Sequence, residues 1–229
     1  MSLLTTTSTS SDKLLASGAF SRADVEALSA RLNEPDWLRQ KRQTAWTVFE
    51  ETPLPTTADE AWRRTDIRKI KWGKFKLADS SSMAPTQKLA DLPEEVRDAT
   101  EENYPAAGRI VIVNGEVLYH ELDPALIEQG VIFTDLSTAV AEHPDLVEKY
   151  LGTDAVPPSN SKFAALNSAL WQGGVFLYLP NEVEVEKPFQ AAIVLEGEGS
   201  AIFPRTLLVA ERFAAATYIE ENISYGEHG

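Results

Sequence analysis

The sequence has no cysteine, which excludes a disulfide framework, a cysteine nucleophile and any thiolate-held zinc or iron–sulfur centre built by this chain alone. Histidine is almost as scarce. Only His120, His143 and His228 are present, and none stands at the H-x3-H or H-E-x-x-H spacing that sets two imidazoles on one helical face. No metal site is expected from this chain. No apolar run approaches the ~20 residues that a bilayer-spanning helix needs. Basic residues are outnumbered: 21 Lys and Arg face 35 Asp and Glu among 229 residues, for a formal net charge of -14. A surface of that sign argues against general nucleic-acid binding.

What remains is an ordinary globular composition, 43% hydrophobic and 24% charged. The opening MSLLTTTSTSS is rich in Ser and Thr. It has neither the basic start and apolar stretch of a secretion signal nor the arginines of a mitochondrial presequence, so residues 1–20 read as a disordered tail. In SRADVEALSARL, Ser21 is an N-cap with Asp24 three positions on, and Val25, Leu28 and Leu32 share a face. In NEPDWLRQKRQTAWTVFEE, Pro35 suits a first helical turn, and Trp37, Leu38, the Lys41 stem, Ala45, Val48 and Phe49 follow the helical period. TPLPTT breaks that helix, and Thr57 with Glu60 makes a capping box for a short helix ending near Thr65.

Residues 62–76, WRRTDIRKIKWGKFK, hold seven basic residues and one acid. The local charge is +6 within a total of -14, which leaves -20 for the rest of the chain. Trp62, Trp72 and Phe75 interleave with the cations, a pattern that stacks bases but also arises when a strand snorkels Lys and Arg from its wet face. A solvated or partner-facing surface is the preferred reading, because the acidic remainder repels a polyanion. Nucleic acid is the alternative.

DSSSMAPTQ has a loop composition, and DLPEEVRDATEENY reads as a polar helix with Pro93 near its start. RIVIVNGEVLYHEL reads as a hairpin turning at Asn114-Gly115, with His120 a cross-strand pair member rather than a catalyst. GVIF is a further strand. Thr134 or Asp135 caps the helix that follows, Pro144 interrupts or restarts it, and Gly152 ends it. SKFAALNSALWQGG gives a last helix with Phe163, Leu166 and Leu170 on one face. Gly173 and Gly174 then let the chain turn into a strand; a phosphate-cradling role lacks a following helix.

Beyond Gly174 the runs VFLYLP, EVEVE, QAAIVLEG, RTLLVAE and AAATYIEENIS are short and β-rich. Their spacing suits either an antiparallel sandwich or the stacked rungs of a parallel β-helix, and EVEVE alternates as a half-exposed strand does. Phe176, Tyr178, Pro188, Phe189 and Phe203 read as packing and turn positions. Arg205 and Glu211 read as a wet-face pair on the TLLVAE strand or as partner-facing groups. The series of strands looks cut off at Gly229, so an amino-terminal portion of a longer protein is expected, and an open edge invites a homodimer.

KFAALNSALWQGGVFLYLPNEVEVEKPFQ and FPRTLLVAERFAAATYIEE resemble the core of the SufB/SufD family of iron–sulfur cluster assembly proteins. The likeness extends upstream through PDWLRQKRQTAWTVFEETPLP, ADEAWRRTDI and the VNGE hairpin, and covers nearly everything from Asn33 to the end. The helical amino-terminal arrangement and the lack of cysteine are more similar to SufD than to SufB. The resemblance implies an α+β fold, in which a helical amino-terminal region and a small α/β layer precede the first rungs of a right-handed parallel β-helix, truncated at the carboxy terminus. The implied domains are a tail over 1–20, a helical region over 21–107, a hairpin with helices over 108–172, and the start of a β-helix core over 173–229.

It further implies a non-catalytic scaffold subunit, cytoplasmic, partnered by SufB and the ABC-type ATPase SufC. An iron–sulfur cluster would be held only in the full complex, with none bound by this chain alone. The family's cluster-handling histidine and ATPase-docking helices have no counterpart here, so no catalytic, cofactor-binding or metal residue is assigned. Two alternatives stand beside this reading. One is nucleic-acid binding through residues 62–76. The other is a β-helix enzyme acting on polysaccharide, for which Glu182, Glu184, Glu186 and Glu211 supply carboxylates and Lys187, Arg205 and Arg212 supply cations. No membrane partner is expected.

Overall fold

The computed structural model describes residues 19–100 and 104–225. The expected tail lies, as far as residue 18, outside the described residues, whereas Phe20 is buried. In chain order the main elements are α1 (Arg22–Arg31), α2 (Asp36–Glu51), α3 (Glu94–Asp98), β1 (Gly108–Val113), β2 (Glu116–Leu122), α4 (Pro124–Glu128), β3 (Ile132–Asp135), α5 (Leu136–Glu142), α6 (Pro144–Tyr150), α7 (Lys162–Leu170), β4 (Val175–Leu179), β5 (Phe189–Glu196), β6 (Leu207–Ala210) and β7 (Tyr218–Tyr225). Single-turn 3-10 helices and two-residue strands lie between them. The described residues divide into two compact units, 19–77 with 154–170 and 78–153 with 171–225. Among the described residues, no helix is long and apolar enough to cross a membrane.

The first unit is helical. Ser21 caps α1 through the expected capping box: its hydroxyl accepts from the Asp24 N–H, and the Asp24 carboxylate accepts from the Ser21 N–H at 2.6 Å. Helix α2 begins directly after Pro35, and its buried face keeps Leu38, Ala45 and Phe49 of the expected stripe but adds Arg42 and Trp46, while Trp37, Lys41 and Val48 are half-buried at its margin. Each residue turns a helix by about 100°, so exchanging the flanking positions re-centres the stripe by a fraction of a turn. What selects the observed face is α7, which packs on α2 and buries Lys162, Ala165, Leu166, Ala169 and Leu170. Phe163, expected on that buried stripe, sits half-buried at its margin.

Two cations are built into this helical unit, and each is answered by backbone or carboxylate oxygens. The Arg42 guanidinium donates to both Glu34 carboxylate oxygens, at 2.6 to 3.0 Å, and to the Ala169 carbonyl at 3.0 Å. Lys162 Nζ donates to the Phe49 and Thr52 carbonyls at 2.7 and 2.6 Å and lies 4.3 Å from the Phe49 ring centroid. Those carbonyls are at the end of α2, where the helix leaves acceptors unpaired and the dipole favours a cation. The helix expected after Thr57 is a single 3-10 turn, Glu60–Trp62. Its N-cap is Asp59, which makes no side-chain capping bond; in the turn before it the Thr56 N–H donates to the Asp59 carboxylate at 2.7 Å, and the Thr56 hydroxyl accepts from the Ala58 N–H at 3.2 Å. That local turn competes with the expected box and leaves Glu60 outside it.

The second unit contains two main sheets. One has the order β2-β1-β5-β7, with β1 and β2 antiparallel and β5 parallel to both β1 and β7. The other has the order β3-β4-β6, with β3 antiparallel and β6 parallel to β4. The carboxy-terminal strands pair in parallel, so an antiparallel sandwich does not describe them. Phe176 registers with Leu207, Glu184 with Ala215 and Phe189 with Tyr218, so the chain returns to the same line after about thirty residues. The class is α+β, with no closed barrel.

Side chains of both sheets, among them Ile110, Ile112, Phe133, Val175, Leu177, Phe189 and Ile193, make one core. The opposite face of the first sheet carries Val111, Val113, Ala192 and Val194 against Leu92, Val96 and Ala99. Strand β5 is therefore buried on both sides, and its apolar run shows no alternation for that reason. EVEVE forms no strand: Glu184 makes a single bridge to Ala215, with Val183 buried, Val185 half-buried and the glutamates exposed. The alternation was legible, but the hydrogen-bonded ladder shrinks to one rung.

The hairpin turns at Asn114 (φ 50°) and Gly115 (φ 87°), as the dipeptide requires. The buried Asn114 amide also binds both backbone groups of Glu196, donating to its carbonyl at 3.0 Å and accepting from its N–H at 2.9 Å. Asp135 caps α5 and Pro144 opens α6, as expected. Helix α4, capped by Asp123, is additional to the expected elements.

Candidate functional site

Gly173 (φ 67°) and Gly174 (φ 102°) turn the chain from α7 into β4, the role expected of them. A strand rather than a helix follows them, and the one helix amino terminus in contact, that of α5, spends the Leu136 N–H on the Gly174 carbonyl at 2.9 Å. His120 sits opposite Ile110 across the hairpin. Its Nε2 lies 2.7 Å from the Phe133 carbonyl oxygen, which makes it the expected cross-strand residue. His143 joins α5 to α6, and His228 lies outside the described residues. Among the described residues no group of three or more His, Asp and Glu is placed to hold a metal ion.

Arg205 and Glu211 do not share the strand expected to hold them. They flank β6 at opposite ends, Arg205 before Leu207 and Glu211 after Ala210. Six residues of extended chain span about 20 Å, too far for a pair. Glu211 instead accepts the Tyr150 hydroxyl at 3.1 Å. Glu182, Glu184 and Glu186 are exposed and make no ion pair with Lys187 or Arg212 among the described residues, and Arg212 lies over the Phe213 ring at 4.8 Å.

The segment 62–76 is not the wet face of a strand. It forms 3-10 turns at Ile67–Lys69 and Trp72–Lys74, and only its last residue, Lys76, enters a two-residue strand. Trp62 and Trp72 rest on Phe163 of α7, with ring centroids 5.4 and 5.9 Å away. Trp62, Trp72 and the buried Ile67 anchor the segment, and its cations project from that base.

A polar cluster absent from the sequence reading lies where the two sheets end. Strands β6 and β7 are the last of their sheets, and their outer sides have no strand partner among the described residues. On β5, Phe189, Ala191 and Ile193 point into the core; their register partners on β7 are Tyr218, Glu220 and Asn222. One line of side chains thus changes from apolar to polar within a single repeat. The Glu220 carboxylate accepts from the Tyr218 hydroxyl at 2.6 Å, the Thr206 hydroxyl at 2.7 Å and the Asn222 amide at 3.2 Å. Thr206 immediately precedes β6, so the cluster ties the two sheets together. Burial first, then the Glu220 hydrogen bond and charge, hold the Tyr218 hydroxyl protonated far above its usual range. The arrangement presents strand edges and a hydrogen-bonding inner face.

Close to the first sheet, Glu196 fastens the loop before α3. Its carboxylate accepts from the Ser81 hydroxyl at 3.0 Å, the Ser82 N–H at 2.9 Å and the Ser82 hydroxyl at 2.5 Å. Burial pushes the carboxyl up, but the hydrogen bonds from Ser82 and Ser81 together outweigh it and hold Glu196 below the ordinary glutamate value. A depressed pKa means that the stabilisation is complete above the unfolded-state value and is lost as pH falls through the folded-state value. Acidification below the ordinary glutamate range is therefore expected to release the loop. Hydrogen exchange at the Ser82 amide, corrected for intrinsic rates, should lose protection there, and Glu196→Gln should flatten the profile. Protection independent of pH in the parent protein would contradict the latch.

Comparison with known proteins places these elements. The family model described as "SufBD protein N-terminal region" matches residues 25–191. An iron–sulfur cluster assembly SufBD family protein of Mycobacterium bovis is 35% identical over 215 residues, covering 90% of this chain and 25% of the relative. A protein of the same description from Mycobacterium tuberculosis gives the same figures. One from Staphylococcus aureus is 31% identical over 204 residues, covering 86% of this chain and 42% of the relative. The chain thus spans between a quarter and less than half of the length of these relatives. The match runs unbroken from α1 through both units to the middle of β5, and on that basis the chain belongs to the SufBD family.

Proposed function

We propose that this chain is part of a non-catalytic, SufD-like scaffold subunit of a cytoplasmic Suf iron–sulfur cluster assembly complex, with SufB and the ATPase SufC as partners. The observation that supports this best is the pair of parallel ladders, β4 with β6 and β5 with β7, which return about every thirty residues and finish in edge strands. In this reading they are the opening rungs of a right-handed parallel β-helix. Such a stack grows by adding strands along one axis, and its extended surface serves assembly rather than bond chemistry. The relatives, at least twice as long as the matched stretch, are consistent with further rungs and a docking region in the full subunit. The chain holds no cofactor by itself, and a cluster would reside only at an interface of the complete complex.

Tagged full-length protein drawn from its native lysate at moderate salt should retain both SufB and SufC. Retention of neither would sink the proposal. Light scattering on the 229-residue chain reads the competing use of the edge: a homodimer is expected there if β6 and β7 pair with a second copy, and a monomer over a wide concentration range would remove that use.

A further inference from the structure

The basic segment 62–76 is raised into solvent in a chain whose remaining residues carry -20. Of its cations, Arg63 pairs with Glu60 at 3.3 Å, and Arg68 with Asp66 at 2.8 Å. Arg64, Lys69, Lys71 and Lys74 are exposed and make no ion pair among the described residues. Between and beside them lie two apolar side chains that the fold leaves open, Ile70 at 39% and Phe75 at 36% exposure. The segment has a fixed base, because Trp62 and Trp72 are committed to Phe163 and Ile67 is buried. It is therefore a preformed surface, and ligand ordering entropy is not spent on the segment itself.

The geometry points to a protein partner for this surface: a segment carrying carboxylates on either side of one or two apolar side chains, which would seat against Ile70 and Phe75 while its acids meet Arg64, Lys69, Lys71 and Lys74. Three observations favour protein over nucleic acid. Single-strand binding draws on aromatic faces along the groove, yet two of the three aromatic residues here are turned onto Phe163, leaving Phe75 alone. An apolar centre with a charged surround is the anatomy of a protein interface, whereas a phosphate backbone offers nothing to an isoleucine. Three of the four available cations are lysines, which act as point charges and do not impose the forked geometry that arginine gives to phosphate.

The test uses this chain and three labelled probes of equal charge: a short peptide of glutamates punctuated by leucine and phenylalanine, a peptide of glutamates alone, and oligodeoxythymidine. Fluorescence anisotropy at low salt should rank the mixed peptide first, with binding that weakens as salt rises. Combined Lys69→Glu, Lys71→Glu and Lys74→Glu should weaken it by about tenfold or more, since each reversal turns an attraction for the peptide's carboxylates into a repulsion. Ile70→Ser should weaken the mixed peptide several-fold and leave the glutamate-only peptide unmoved. All these positions are exposed, so unchanged thermal melting is expected and verifies that the variants fold. Tighter binding of the oligonucleotide would reassign the surface to nucleic acid and overturn the proposal. Binding unaffected by the charge reversal, or a mixed peptide indifferent to Ile70→Ser, would overturn it too. Retention of SufB and SufC by the full-length subunit is a separate readout, so the two proposals fail independently.

Discussion

Arg42→Met is expected to destabilise the chain by about 3–5 kcal/mol, because it strands the Glu34 carboxylate in the interior. The Arg42 and Glu34 side chains are 0% and 3% exposed, and the shortest of their contacts is 2.6 Å. Glu34 is further held by the Ser29 hydroxyl at 2.8 Å, and Arg42 by the Ala169 carbonyl at 3.0 Å. Burial pulls the Arg42 pKa down, opposed by the Glu34 hydrogen bond and charge; a guanidinium nonetheless stays charged at neutral pH. The desolvation of both ions is offset only while both are present. The double variant Glu34→Leu with Arg42→Met should therefore recover much of the loss, since an apolar pair of similar volume removes both desolvation terms. Urea denaturation with a shared slope gives the comparison. Equal midpoints for the parent and the single variant would refute the pair's role, and a double variant no better than the single one would locate the loss in packing.

Gly174→Ala should be comparably damaging for an unrelated reason. A Cβ on Gly174 would stand 2.5 Å from both the carbonyl carbon and the nitrogen of Arg205, which is backbone and cannot swing aside. The residue also sits at φ 102°, where a side chain adds strain of its own. Together these are worth about 3–5 kcal/mol, or a shift of β6 away from β4. Two other glycines calibrate the expectation. At Gly197, also at φ 102°, the nearest atom to a new Cβ is the Ser200 hydroxyl oxygen at 3.1 Å, so Gly197→Ala should carry only the backbone strain. Gly73 has nothing within 4 Å and no positive φ, so Gly73→Ala should stay within about 0.5 kcal/mol of the parent. Thermal unfolding of the three variants orders them; a Gly174→Ala protein that melts with Gly73→Ala would show that the close approach is not rigid.

Features specified by neighbouring residues were readable from the chain. The Ser21 capping box, the Asn114-Gly115 turn and the Asp135 cap depend on contacts a few positions apart or on φ, and the glycine pair before β4 is legible through its φ although the approach of Arg205 is not. Features completed by distant residues were not. The buried role of Arg42 leaves no local mark, because the carbonyl that receives it, Ala169, is 127 positions away. Lys162 was hidden in a helix read for its apolar stripe, since its acceptors close α2 rather than α7. The tryptophans of 62–76 fitted either base stacking or a strand with a wet basic face, and it is Phe163, far along the chain, that fixes them in neither. At the open edge, Tyr218 and Glu220 lie in a run legible as β-rich, but which of its faces points inward is set by pairing with β5.

The interleaving of the two units has a consequence for synthesis. Helix α2 finds its packing partner α7 only after more than a hundred further residues have been made, including the hairpin and β3 of the other unit. Chains with such distant pairings close slowly, and an exposed apolar stripe is a hazard during the delay. On the nascent chain, the face of α2 awaiting α7 carries Arg42, which is hydrated and already able to meet the nearby Glu34, while Lys162 is still to come. The same charges that lie sealed in the finished interior would keep the half-made one wettable until the last helix of that unit arrives.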